Sequence, residues 1–369
     1  MSSDVRPRVL FENGGSFLAE LNARVEQRLA NGAMLHWAKL QLYGKTLAAA
    51  ALLAIGWGTL MFASPGLALA IVALALIALG LTLVAFTVQH DANHGAYFTQ
   101  RRYNHLLGWT ADCLMGVSSY CWRIKHNVAH HTYTNVLGYD ADVSQSPIVA
   151  FSPKDPRRSW HRFQHIYIWP LYGLMGARWQ IGGDIAAFAR GRIGRSPVHM
   201  PKGWDLVGLF LGRLIFLGWA VVAPLLIYPW WVVAIGYMAV VSVLSFTMAL
   251  TFQLAHCVEE ASFVTPDELL AGDRRSWAVH EVETTIDFCP RNPVLTWLLG
   301  GLNFQIEHHL FPRVPHTLYP RIADIVRDTC AEYGVRYAVQ PTLWRALRSH
   351  FVHVYRMGQR GQRLSIEMG

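Results

Sequence analysis

The stretch TLAAAALLAIGWGTLMFASPGLALAIVALALIALGLTLVAFTVQ, Thr46 to Gln89, carries no Asp, Glu, Lys or Arg over forty-four residues and runs directly into HDANH, His90 to His94. A helix needs roughly 20 apolar residues to cross a bilayer, so the stretch holds two crossings joined by a turn at Ser64-Pro65-Gly66. A second charge-free block of forty-two residues, Leu214 to Ala255, holds two more, joined between Pro224 and Pro229, with Tyr228, Trp230 and Trp231 suited to the membrane interface. The expected crossings are residues 46–63, 67–89, 207–227 and 231–255. The remainder of the 369 residues agrees: 53% of the chain is hydrophobic and only 15% charged, too apolar for a soluble protein of this size.

Both hairpin tips lack charge, while all 32 Lys and Arg lie in the segments that flank the two blocks. By the positive-inside rule those flanking segments face the cytosol. The net charge of +8 then reads as topology and contact with anionic lipid, and no aromatic-interleaved basic motif points to nucleic acid. Met1 to Leu10 has no apolar core of a signal peptide, and five cysteines without a CxxC pair read as reduced thiols. Residues 11–44 carry a helical pattern that packs on the cytosolic face. Residues 163–179, interrupted by Pro170 and two glycines, are expected to lie along the membrane surface rather than to cross it. The fold expected is therefore an all-α integral membrane protein of one domain, 1–369. It consists of cytosolic N-terminal helices (1–45), hairpins at 46–89 and 207–255, a cytosolic and interfacial segment (90–206), and a cytosolic cap (256–369).

Seven of the 17 histidines fall in three tight groups: His90 and His94; His126, His130 and His131; His308 and His309. Neutral imidazole is a nitrogen donor to iron, copper, zinc or nickel, and spacing of i, i+4 puts two rings on one helix face. His90 follows the second crossing directly, and His256 ends the fourth in the same way, which makes it an eighth candidate. Eight imidazoles exceed the four ligands of a tetrahedral zinc and ask for two ions, so the expected site is a His-rich dimetal centre on the cytosolic membrane edge. Ligand number alone leaves iron, copper and zinc open. A metal transporter is the alternative outside enzyme chemistry, but transport needs ionisable groups at bilayer depth and the hairpins have none before their cytosolic ends.

The three groups, in HDANHGAYF, WRIKHNVAHHTYTN and GGLNFQIEHHLFP, resemble the HDxxH, HxxxHH and QxxHH boxes of the membrane fatty acid desaturases. The last is similar to the front-end and acyl-CoA branch, in which Gln305 replaces the first His. The resemblance covers roughly residues 40–330. It implies a non-haem di-iron centre that uses O2 and two electrons to introduce a double bond into an acyl chain, with no catalytic side chain beyond the metal centre. It assigns ligand roles to His90, His94, His126, His130, His131, His308 and His309, and to His256. Zinc has no redox chemistry with which to reduce O2. Without a His-Pro-Gly-Gly motif in the chain, electrons are expected from a separate ferredoxin or cytochrome b5-like donor with an NAD(P)H reductase.

Around the ligands, Asp91, Asn127, Asp287 and Glu307 are candidate acceptors for imidazole N–H groups, as are Asp140 and Asp142, and Gln305 and His280 are possible further ligands or hydrogen-bond partners. Trp122, Arg123 and Lys125 precede the second box, where cations suit a phosphate or carboxylate headgroup. The other histidines (36, 105, 161, 165, 199, 316, 350 and 353) read as surface or interfacial. On the same scaffold, a hydroxylase or an oxidative decarboxylase that makes a terminal alkene is the alternative within enzyme chemistry. Chain length, double-bond position and acyl carrier stay open, and a bacterial inner membrane with a cytoplasmic active site is the expected location. Reporter fusions test the topology: a cytoplasm-dependent reporter at Pro65 or Pro229 is expected to be silent, and one at Pro201 or after Glu332 active.

Overall fold

The computed structural model describes residues 11, 15–143, 147–270 and 276–366. Four of its helices are long and apolar enough to cross a membrane: Gly32–Phe62, Leu67–His94, Trp204–Leu225 and Trp230–His256. They form the two expected hairpins. Ser64 (φ 46°) and the Gly66 cap turn the first, and Pro229 caps the helix that returns in the second. Most of their surface is exposed apolar side chain, such as Leu47, Ile71, Leu214 and Ile235, because the protein alone does not cover faces that lie in lipid.

The first hairpin is held by close backbone approach. A Cβ on Gly56 would stand 2.6 Å from the Ala73 carbonyl oxygen and 2.8 Å from Ile77 Cγ1, so only glycine permits that contact. Between membrane helices there is little hydrophobic driving force, and van der Waals contact of this kind replaces it.

The first crossing starts fourteen residues earlier than expected. Asn31 caps it, its side chain accepting from the Ala33 and Met34 amides at 3.0 and 3.3 Å. The reading stopped at the last charge, Lys45, but Lys45 is buried and its Nζ donates to His316 Nε2 at 2.8 Å. The second crossing continues past Gln89 through a π-helical turn, Val84–Gln89, so His90 to His94 belong to the spanning helix itself. The third and fourth crossings differ from expectation by three residues or fewer.

Residues 164–178 form one helix, Gln164–Arg178, with Pro170 inside it. Its glycines do not interrupt it. They let it lie against the fourth crossing, where the Gly176 amide donates to Ser245 Oγ at 2.9 Å and Gly173 faces Ser242. At the end of the bundle that carries the histidines, Ser16–Leu29 packs on Tyr319–Glu332 and on the helix Trp277–Thr284 through Phe17, Leu21, Val282 and Val326. The long C-terminal helix Leu343–Ile366 closes over Gln164–Arg178. Among the described residues, strand is limited to two short pairs, Arg192–Ile193 with Ser196–Pro197 and Asp287–Phe288 with Val339–Gln340.

Four histidines read as surface residues are buried cap residues instead: His161, His316, His350 and His353. His350 shows the reason. Its Nδ1–H donates to the Cys257 carbonyl at 2.7 Å and its Nε2 accepts from the Tyr172 hydroxyl at 2.8 Å, so the ring bridges three elements. Spacing along the chain carries no trace of such partners. Gly56→Leu is expected to lower stability by about 1–3 kcal/mol through overpacking. Gly58→Leu, with open space around it, is expected to change it by a few tenths at most; thermal unfolding in one detergent compares them.

Candidate metal centre

The eight histidines arrive from four places. The end of the second crossing supplies His90 and His94, and the last residue of the fourth supplies His256. The π-helical turn Ile124–His130 carries His126 and His130, with His131 as its cap, and the short helix Gln305–Leu310 carries His308 and His309. Wide π turns place i and i+5 side chains over one another and recur at functional sites. The third group reaches the second crossing because Gly300 (φ +58°) turns the chain against it: a Cβ there would overlap the Phe86 carbonyl.

Together these rings form two sets. His90, His94, His126 and His308 each place one ring nitrogen within 4.8 Å of the others, and His130, His256 and His309 do the same. His131 joins His308 and His309 between the two. Within the first set, His90 Nε2 stands 3.3 Å from His308 Nε2, and His131 Nε2 3.3 Å from His126 Nε2.

What points these nitrogens inward is a ring of acceptors outside them. His130 Nδ1–H donates to Asp140 at 2.9 Å, His309 Nδ1–H to Glu281 at 2.6 Å, and His90 Nδ1 stands 3.3 Å from Asp91. His308 Nδ1 meets the Tyr319 hydroxyl at 3.1 Å, and His126 Nδ1 lies 3.7 Å from Asp142. An imidazole that donates Nδ1–H outward carries its lone pair on Nε2, facing the centre. Burial holds His131, His308 and His309 well below the usual range, and pushes His126 down to about 3 against the pull of Asp142. These rings are therefore neutral donors at pH 7. For His130 burial also lowers the value, but the Asp140 carboxylate outweighs it and the net direction is up.

Metal binding answers an otherwise unmet need. His94 Nε2 and His130 Nε2 are fully buried and have no hydrogen-bond partner, as does Gln305 Oε1. Each such group costs about 1–3 kcal/mol when left unsatisfied. Two imidazole-rich sets, each with a stranded inward nitrogen, fit a pair of nitrogen-loving ions. Gln305 extends between His256 Nε2 (3.1 Å) and His309 Nε2 (3.5 Å), so its amide reaches the second set as the expected alternative to a ligand.

An apolar cavity of about 260 Å³ adjoins this cluster. His90, His126, His308 and Gln305 line it together with Phe86, Phe151, Ile168, Leu171, Met248 and Phe252. A mostly apolar space whose wall includes metal-capable groups suits a hydrocarbon chain.

The sequence model of the fatty acid desaturase family matches residues 62–341. The chain belongs to the fatty acid desaturase family. An sn-1 linoleoyl-lipid 6-desaturase from Arthrospira platensis is 34% identical over 98% of this chain and 97% of its own length. A protein of the same description from Synechocystis is 33% identical over 95% and 98%. An acyl-lipid (8-3)-desaturase from Physcomitrium patens is 37% identical over 74% of this chain and 58% of that protein.

Several expected roles in this desaturase move. Asn127 gives its amide to the Asn93 carbonyl at 2.9 Å rather than to an imidazole. Asp287 and Glu307 share the Tyr337 hydroxyl at 2.6 and 2.9 Å, and Asp287 accepts the Ile306 amide, so the pair braces the third box from behind. Burial pushes both carboxyls up, Asp287 to about 6. His280 is no ligand here: its Nε2–H donates to the Thr134 carbonyl at 2.8 Å and Phe11 covers the ring. Its neighbour Glu281 is the functional group the sequence reading missed, one position away in His280-Glu281-Val282. Thr134 donates to the same Glu281 oxygen at 2.7 Å, which fixes the carboxylate that aims His309. His316 is another, bridging Lys45 to Asp91.

Arg123 is committed to Asp205 at 3.0 Å and Asn93 at 3.3 Å, and it does not line the cavity. Trp122 lies against His126, with ring centroids 4.4 Å apart, and forms the wall beside the cluster. Lys125 also lines the cavity, paired with Asp142 and over the Trp179 ring at 4.3 Å. Glu281→Ala is expected to weaken metal retention about 10–100-fold, the usual cost of losing a carboxylate behind a ligand histidine; metal content after graded chelator dialysis reads it.

Proposed function

We propose that this protein is an O2-dependent di-iron acyl desaturase that inserts a double bond into acyl chains of membrane lipids. The observation that carries the reading is the apolar cavity whose lining includes His90, His126, His308 and Gln305. His90, His94, His126 and His308 would hold one iron and His130, His256 and His309 the other, with His131 between them. Bound iron supplies the redox chemistry that activates O2 and removes hydrogens from two adjacent carbons of an unactivated chain.

The polypeptide does the rest. Phe86, Ile168, Leu171 and Phe252 strip water from the chain and hold it extended, so that positioning selects the carbons that react. Asp140, Glu281, Asp91 and Tyr319 keep the imidazoles oriented and their lone pairs inward through each turnover. Electrons come from a separate donor, a ferredoxin or cytochrome b5-like protein with an NAD(P)H reductase. The site faces the cytoplasm from a bacterial inner membrane, in accord with the basic flanking segments and the two cyanobacterial relatives. Those relatives, described as 6-desaturases of sn-1 linoleoyl lipid, support an acyl-lipid substrate and desaturation at carbon 6.

Expression in a host supplied with linoleoyl lipids is expected to yield acyl chains with one added double bond at carbon 6, read by mass spectrometry of position-specific derivatives. A hydroxy acid, or an alkene one carbon shorter, in place of an unsaturated acid would overturn the assignment. Purified protein is expected to hold about two irons per chain. Chelation should abolish product formation, with Fe2+ restoring it and Zn2+ failing to do so.

A further inference from the structure

The helix Leu343–Ile366 has two unlike faces. One is spent on the protein. Ala346 and Leu347 join the apolar cluster of Leu250 and Leu254 from the fourth crossing and of Leu295. His350 bridges Tyr172 and the Cys257 carbonyl, His353 Nε2–H donates to the Phe151 carbonyl at 2.7 Å, and Val354 accepts from the Gln164 amide at 2.8 Å. Tyr172 and Phe151 line the apolar cavity, so this face braces its wall.

The other face is open. Trp344, Phe351 and Tyr355 are 74%, 42% and 44% exposed, and with Arg348 they fall at i, i+4, i+7 and i+11, one stripe along the helix. His165 stands edge-on to Phe351 and Tyr355, with ring centroids 5.5 and 4.9 Å away, which steadies both rings without covering them. Arg345 and Arg348 are exposed and make no ion pair among the described residues, whereas Arg356 is taken by Glu259. From Leu343 to Ile366 the sequence holds five Arg and no Asp or Glu. Exposed apolar side chains continue on the neighbouring elements as Phe163, Ile166, Val294 and Trp297. An aromatic stripe flanked by arginines is the composition of a helix that lies in the plane of a membrane interface.

Depth decides what covers this face. The exposed Trp230 and Trp231 open the fourth crossing at the far interface, and Leu250 stands twenty residues beyond Trp230, about 30 Å along a straight helix. The hydrocarbon core of a bilayer is about 30 Å thick. The helix Leu343–Ile366 therefore packs on the crossing where hydrocarbon gives way to headgroups. The exposed side chains of Val243 and Phe246 on that crossing lead up to it, so the stripe continues a surface that already lies in lipid.

We propose that the helix Leu343–Ile366 lies in the headgroup layer of an anionic bilayer, with Trp344, Phe351 and Tyr355 at the acyl boundary and Arg345 and Arg348 on the anionic headgroups. Such a helix gains from buried apolar area and from attraction to negative lipid together. This places the last helix on the membrane rather than within the cytosolic cap expected for residues 256–369. The seating does not depend on which reaction the metal centre runs.

Fluorescence of the iron-loaded full chain in lipid nanodiscs tests it. W344F removes one of 14 tryptophans at an exposed position, so subtracting its emission from that of the wild type leaves the signal of Trp344. Lipids brominated near the headgroup end of the acyl chain are expected to quench that signal about two-fold, with aqueous iodide barely reaching it. At equal mole fraction and low salt, brominated phosphatidylglycerol should quench it about twice as strongly as brominated phosphatidylcholine. R345Q/R348Q, measured against its own W344F partner, should abolish that preference, and rising salt should shrink it. Quenching by iodide without quenching by bromolipid means a face in water, and protection from both means a cover of protein, whether a second copy or another partner; either overturns the proposal. So does equal quenching by the two lipids, or a preference that neither salt nor R345Q/R348Q reduces in protein with unchanged thermal unfolding.

Discussion

Everything in this protein hangs on keeping eight imidazoles pointed at one small volume at the edge of a membrane. Left alone, buried rings would turn to satisfy themselves or admit water. Here three of the outer nitrogens are held: Asp140 takes His130, Glu281 takes His309, and Tyr319 meets His308. The carboxylates are themselves fixed by other donors. Asp140 also accepts the Asn135 and Asp142 amides, and Glu281 the Thr134 hydroxyl. Burying such groups is costly unless they are paired, so the arrangement holds as a network or not at all.

The membrane part exists to hold that network still. The second crossing, packed closely on the first, ends in His90 and His94, and the fourth, packed on Gln164–Arg178 and on the second crossing, ends in His256. The cap outside the four long helices supplies the remaining histidines and most of the groups that orient them. The chain joining Lys45, His316, Asp91 and His90 ties the first crossing to the end of the second through a cap residue. Neither half would be a site without the other.

Apolar and charged surfaces lie side by side on one element. Helix Gln164–Arg178 contributes Ile168 and Leu171 to the apolar cavity and Arg178 to the wall that this cavity shares with a more polar recess.

The sequence by itself determined the four crossings, the hairpin pairing and the eight inward histidines. Each of these follows from a local regularity: charge-free length for the helices, and i, i+4 or i, i+5 spacing, or a helix end, for the rings. It misplaced the start of the first crossing, because Lys45 reads as a charge at a boundary until His316 is beside it. It offered Asn127, Asp287 and Glu307 as partners of the ligands and passed over Glu281, since nearness along the chain says nothing of which carboxylate faces a ring 28 positions away. Partners that act across hundreds of residues are chosen by packing, and only the tertiary structure decided them.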